Sequence, residues 1–134
     1  MQVRVDLVNV TETAAAILRL GENAYDAVED AAERGGKWVT FQARDLFRGQ
    51  TSGTYLPHYP SSITSETERS AGMVSMIVGP ESGKRQGGMG LGIEWGSVNA
   101  PPIPHLNPAF DDRVPDIIDR AANNLARWPD GRSR

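Results

Sequence analysis

Residues 90–110 read Gly-Leu-Gly-Ile-Glu-Trp-Gly-Ser-Val-Asn-Ala-Pro-Pro-Ile-Pro-His-Leu-Asn-Pro-Ala-Phe, and they constrain the fold more than any other stretch. Proline fixes φ and lacks a backbone N–H, so neither a helix nor a central strand can run through Pro101-Pro102-Ile103-Pro104. A short apolar segment from Leu91 to Trp95 therefore stops at Gly96, and a rigid turn follows. Ile93 to Trp95 closes either as a third strand or as a single helical turn. Asn107-Pro108 then opens a helix, with Asn as N-cap and Pro in the first helical position. Trp95 and Phe110 are expected as core anchors of this bend. The punctuation serves shape, because the run holds no nucleophile elbow and no metal-ligand set.

The flanking sequence is periodic. Val3, Val5 and Leu7 alternate with Arg4 and Asp6, which predicts a short strand. Residues 11–48 read as one long helix, with Ile17, Gly21, Ala24, Val28, Gly35, Val39 and Leu46 on one face. The phase survives the Gly35-Gly36 pair, where a kink is expected. Small residues on that face require its packing partner to come close. Residues 49–62 are turn material. Two strands, residues 63–69 and 73–78, are joined by Ser70-Ala71-Gly72 as an antiparallel hairpin. Residues 79–90 form a glycine-rich loop. From Pro108 onward Phe110, Val114, Ile118, Ala121 and Leu125 repeat at helical spacing up to Pro129, and Pro115 costs that helix a hydrogen bond. The order predicts an α+β fold: long N-terminal and C-terminal helices packed on a small antiparallel sheet with long loops. Residues 1–134 form one domain, with 129–134 a frayed tail.

Composition narrows the function. A chain of 134 residues buries roughly two-thirds of its unfolded surface. Its net charge of −3 argues against a general phosphate-binding surface. With no cysteine, disulfides, thiolate nucleophiles and zinc-thiolate sites are excluded together. No apolar run reaches membrane-spanning length, and the N-terminus lacks the apolar core of a signal peptide, so a soluble protein of the cytoplasm is expected.

Each candidate for chemistry has a plainer alternative. Gly79-Pro80-Glu81-Ser82-Gly83-Lys84-Arg85 has three residues between its glycines where a phosphate loop needs four. Arg85 also stands in place of the magnesium-binding hydroxyl. Gly87-Gly88-Met89-Gly90-Leu91-Gly92 misses the dinucleotide spacing and lies in no βαβ unit. His58 and His105, the only imidazoles, have no carboxylates at ligand spacing and read as solvated or capping residues. No cofactor, metal or catalytic residue is expected. Glu22, Asp26, Glu29, Asp30 and Glu33 form a stripe opposite the apolar face of the long helix. It is either an ordinary solvated surface or an electronegative face toward a basic partner or a DNA conduit. Tyr55-Leu56-Pro57-His58-Tyr59-Pro60 is an aromatic loop suited either to an interface or to local packing.

Ser52-Gly53-Thr54-Tyr55-Leu56, Ser62-Ile63, Val78-Gly79-Pro80, Ile93-Glu94-Trp95-Gly96-Ser97 and Pro102-Ile103-Pro104-His105-Leu106-Asn107-Pro108-Ala109-Phe110 occur in that order. In this series the chain resembles the small neck proteins, head–tail connector or tail-completion components, of long-tailed siphovirus-type bacteriophages. The resemblance spans roughly residues 11–128. Two departures are the replacement of the family's Ala-Pro by Phe47-Arg48-Gly49-Gln50 and the insertion of residues 57–60.

The resemblance implies a structural virion protein, not an enzyme, made in the host cytoplasm and built into the neck. There it would form part of a sixfold or twelvefold homo-oligomeric ring around the conduit, through which double-stranded DNA passes without specific binding. Its partners would be an adaptor, stopper, tail terminator or tail tube, with no membrane involved. Tyr55, Leu56, His58, Tyr59, Lys84, Arg85, Ile103 and His105 are the expected contact residues. The alternatives are a tail-terminator ring protein and a small nucleotide-binding or adaptor domain.

Overall fold

The computed structural model describes residues 3–9, 22–70, 73–98 and 100–127, with the backbone alone for 3–9 and 22–24. In chain order the elements are β1 (Val3–Asn9), α1 (Glu22–Gly49), α2 (Tyr59–Ser62), β2 (Ile63–Ser70) and β3 (Met73–Pro80). A 3₁₀ turn (Gly87–Met89), α3 (Gly90–Trp95) and α4 (Leu106–Arg127) complete them. The fold is α+β, with one antiparallel sheet of order β1-β3-β2.

Sequence explains the strand order. β3 reads Met-Val-Ser-Met-Ile-Val-Gly-Pro and is buried from Val74 onward, as a central strand must be. β2 reads Ile-Thr-Ser-Glu-Thr-Glu-Arg-Ser, and its exposed Glu66 and Glu68 suit an edge. In β1, Val3 pairs with Val78 and Val5 with Met76, but the register shifts between Asp6 and Val8. The expected Val3, Val5, Leu7 alternation therefore breaks, and Val8 takes the position opposite Val74.

α1 lies between the sheet and α4, and so it buries more than one stripe. Ala27, Val28, Ala31, Ala32, Val39 and Ala43 are inaccessible, and Phe47 nearly so. Leu46, expected in the apolar row, is only half-buried. Gly35 and Gly36 set the spacing of the layers. A Cβ on Gly35 would lie 2.5 Å from Ile117 Cγ1 in α4, and one on Gly36 would lie 3.0 Å from Ser65 Cβ in β2. The helix runs through the pair, which faces two layers at once. The expected close approach is present. Expected helical residues 11–21, including Ile17 and Gly21, lie outside the described residues, as does the expected frayed tail, residues 129–134.

α4 differs from expectation in its buried face. Ile117, seated against Gly35, is inaccessible, whereas Ile118 is half exposed. Asn124 is buried too, its Nδ2 donating to Ala27 O and Asp30 Oδ2 at 3.0 Å each. The glycine-rich loop is shorter than predicted, because β3 extends to Pro80 and the 3₁₀ turn begins at Gly87. Among the described residues no helix is long and apolar enough to cross a membrane.

Candidate functional site, a buried clasp beneath an exposed apolar edge

The short segment Leu91 to Trp95 is helical, and its six-residue helix α3 divides sharply. Ile93 and Glu94 point inward and are buried, while Leu91 and Trp95, four residues apart on the other side, are each 61% exposed. Trp95 is thus not the core anchor the sequence suggested; Phe110 is, at 5% exposure. Gly96 ends the helix at φ +85°, and a Cβ there would stand 3.0 Å from the Pro102 ring. Only glycine meets both conditions without strain. Ser97 and Ala100 then exchange backbone hydrogen bonds at 2.9 and 3.3 Å, leaving Val98 fully exposed at the tip of the turn. Ile103 N–H donates to Ile93 O at 2.7 Å and ties the proline run back to α3.

Glu94 is the centre of this junction. Its Oε1 accepts from the backbone N–H of His105 at 3.1 Å and of Leu106 at 2.9 Å, and its Oε2 accepts from Asn107 N–H at 3.3 Å. A carboxylate twelve residues upstream thus caps α4, satisfying orphan donors and opposing the positive end of the helix dipole. The expected Asn107 cap is corrected: Asn107 lies inside the first turn and donates to Glu94. Burial alone would raise the pKa of Glu94. Hydrogen bonds from the His105 side chain and from the N–H groups of Leu106, His105 and Asn107 outweigh it and hold the carboxyl at about 2.

His105 completes the clasp. Its Nδ1 faces Ile103 O at 2.8 Å and Glu94 Oε1 at 3.0 Å, both acceptors, so the surroundings assign the proton to Nδ1. Nε2 then accepts from Tyr59 O–H at 2.7 Å. Burial, and next the charge of Glu94, push the Tyr59 phenol above its ordinary range, so it stays a donor. Phe47 packs on both rings, at 4.9 Å from Tyr59 and 5.6 Å from His105 between centroids. Glu94, His105 and Tyr59 are sealed from solvent, and each hydrogen bond described here ends on protein. Their work is to lock α3, the proline run and α4 into one rigid unit that holds Leu91, Trp95 and Val98 outward.

No protein-family model, curated protein or solved structure matches the chain.

Of the expected contact residues, Tyr59 and His105 are corrected: both are inaccessible core side chains of the clasp. Tyr55 is 42% exposed and stacks on Phe47 at 6.3 Å. Leu56, at φ +44°, is half-buried against the core, and His58 is half-buried with its backbone N–H donating to Gln86 Oε1 at 2.7 Å. Ile103 is half-buried, and Lys84 and Arg85 are exposed. The aromatic loop therefore splits, with Tyr59 packing inside and Tyr55 left at the surface.

The acidic stripe is largely neutralised by cations from elsewhere in the chain. Arg69 Nη2 reaches Asp26 at 2.8 Å and Glu29 at 3.1 Å from β2. Asp30 is held below its usual range: burial would raise it, but hydrogen bonds from Arg34 and Asn124 and the charges of Arg34 and Arg120 prevail. Glu33 is exposed, and the side chain of Glu22 lies outside the described residues. Of the four whose side chains are described, Asp26, Glu29 and Asp30 are thus compensated. Linear sequence shows no base between residues 22 and 33, because the compensating arginines are brought in by β2, α4 and the next helical turn.

Sequence reasoning missed Glu94. The available signal was a lone carboxylate in an apolar segment twelve residues before a helix start, since a buried charge demands donors.

Proposed function

We propose that this chain is a structural component of a phage neck, joining head to tail as one subunit of a ring around the DNA conduit. The observation that carries this reading is the ordered series of motifs, together with what those motifs do in the fold. Ser62-Ile63 is the passage from α2 into β2, and Val78-Gly79-Pro80 is the end of the central strand. Ile93-Glu94-Trp95-Gly96 supplies the clasp, and residues 102–110 supply the bend it closes on. Motifs spent on architecture, with an exposed apolar edge held rigidly by them, suit a protein whose work is to join others.

On this reading the protein carries no active site and needs no cofactor, and it resides in the virion after synthesis in the host cytoplasm. Electron microscopy of particles produced without the protein tests the proposal. DNA-filled heads and separate, complete tails are the expected products; intact tailed particles would overturn it.

A further inference from the structure

We propose that the edge formed by Met89, Leu91, Trp95 and Val98 docks on the outer face of α4 in a second copy of this chain. The two surfaces match in shape of chemistry and in charge. Over residues 82–102 the only charged side chains are Lys84, Arg85 and Glu94. Glu94 is buried in the clasp, and the exposed Glu81 that opens the turn is held back toward β2 by Thr64 Oγ1 at 2.7 Å, so the turn carries two exposed cations against one anion. The turn carrying those cations leads into the edge itself, with Gly87 N–H donating to Lys84 O at 3.0 Å and Met89 N–H to Gln86 O at 3.3 Å.

The outer face of α4 has the complementary character. Asp111, Asp112, Asp116 and Asp119 are exposed, around an apolar strip of Pro115, Ile118 and Ala122 that is also exposed. The two arginines between residues 111 and 126 turn back toward α1. Arg113 bonds Gln42, and Arg120 lies 3.7 Å from Asp30 and over the Trp38 ring. Asp112 also turns toward α1, accepting from Gln42 Nε2 at 2.7 Å, which leaves Asp111, Asp116 and Asp119 beside the exposed strip. An apolar edge preceded by a turn of net positive charge meets an apolar strip flanked by carboxylates, and both are supplied by one sequence. The contact joins two different patches, which is how identical subunits link head to tail. It deepens the neck reading by naming the contact between ring subunits, and it fails separately from it: a chain found at the head–tail junction that does not self-associate overturns this contact alone.

The absence of cysteine makes the test clean. Concentration-dependent self-association is read by analytical ultracentrifugation of the wild type, K84E/R85E, D116K/D119K and an equimolar mixture of the two variants. Circular dichroism confirms that each is folded. Wild type should associate, and each variant alone should do so about tenfold more weakly. The mixture should regain the lost affinity, since reversed edges meet reversed faces. Separately, V98C mixed with A122C should give a disulfide-linked heterodimer that neither variant forms alone. A wild type that stays monomeric up to about 1 mM overturns the proposal. So does association that both charge reversals leave unchanged, or cross-linking of V98C to itself in preference to A122C.

Discussion

Glu94 shows how one side chain organises a junction. Removing its charge while keeping its shape, as in E94Q, leaves one carbonyl oxygen for three backbone donors and turns an NH₂ group toward them. The expected cost is about 2–4 kcal/mol at neutral pH, measured by urea unfolding, because the buried N–H groups at the start of α4 lose their acceptor. The carboxyl's folded pKa of about 2 lies below its ordinary value of 4.5. Its contribution is therefore complete above pH 4.5 and disappears as the pH falls through about 2. Wild type should lose about 3 kcal/mol more than E94Q across that interval. Equal acid sensitivity in the two proteins would refute the clasp. In sequence the glutamate was visible only as part of an apolar segment; its partners lie eleven to thirteen residues on, and apart from the His105 ring they are backbone N–H groups, which carry no residue signature. Trp95 misled for a related reason. An aromatic beside Ile93 reads as core, but a six-residue helix buries one side, and Ile93 and Glu94 occupy it.

At the level of elements, the α1–α4 contact turns on Gly35 against Ile117. Replacing Gly35 with alanine gains about 1 kcal/mol of helix propensity, but it forces a methyl into the fully buried Ile117 side chain. Overpacking of this kind costs about 1–3 kcal/mol, so G35A should destabilise on balance. In an I117A background the same substitution has room and should stabilise the protein, and a double-mutant cycle followed by urea unfolding reads the sign change. Stabilisation in both backgrounds would show that the helices are not in register at this pair. The elements were largely legible. Periodicity located α1, the hairpin and α4, and the α+β class followed from their order. The buried face of α4 was displaced by one residue, from Ile118 to Ile117, because a helix only partly covered leaves neighbouring apolar positions equivalent in sequence. The pairing of β1 with β3, and the bulge within it, depends on contacts between residues as far apart as Val3 and Val78.

For the whole molecule, rigidity and surface chemistry point the same way. The sheet, α1 and α4 form the body, and the clasp holds one apolar edge clear of it. Net charge of −3 conceals an uneven distribution: Lys84 and Arg85 in the turn before the edge, Asp111, Asp116 and Asp119 on the outer face of α4, and an acidic stripe on α1 largely paired with arginines. That distribution was not legible in sequence, since Arg69 and Arg120 reach the stripe only through the fold. It also moves the interest from α1 to the turn before the edge and to the outer face of α4. The central claim, that the protein joins head to tail, is tested most directly by its position in the particle. Gold-labelled antibody against the chain, viewed on purified virions by electron microscopy, should mark the head–tail junction and neither the capsid shell nor the tail tip. Label absent from the particles, or spread over the shell, would contradict the account.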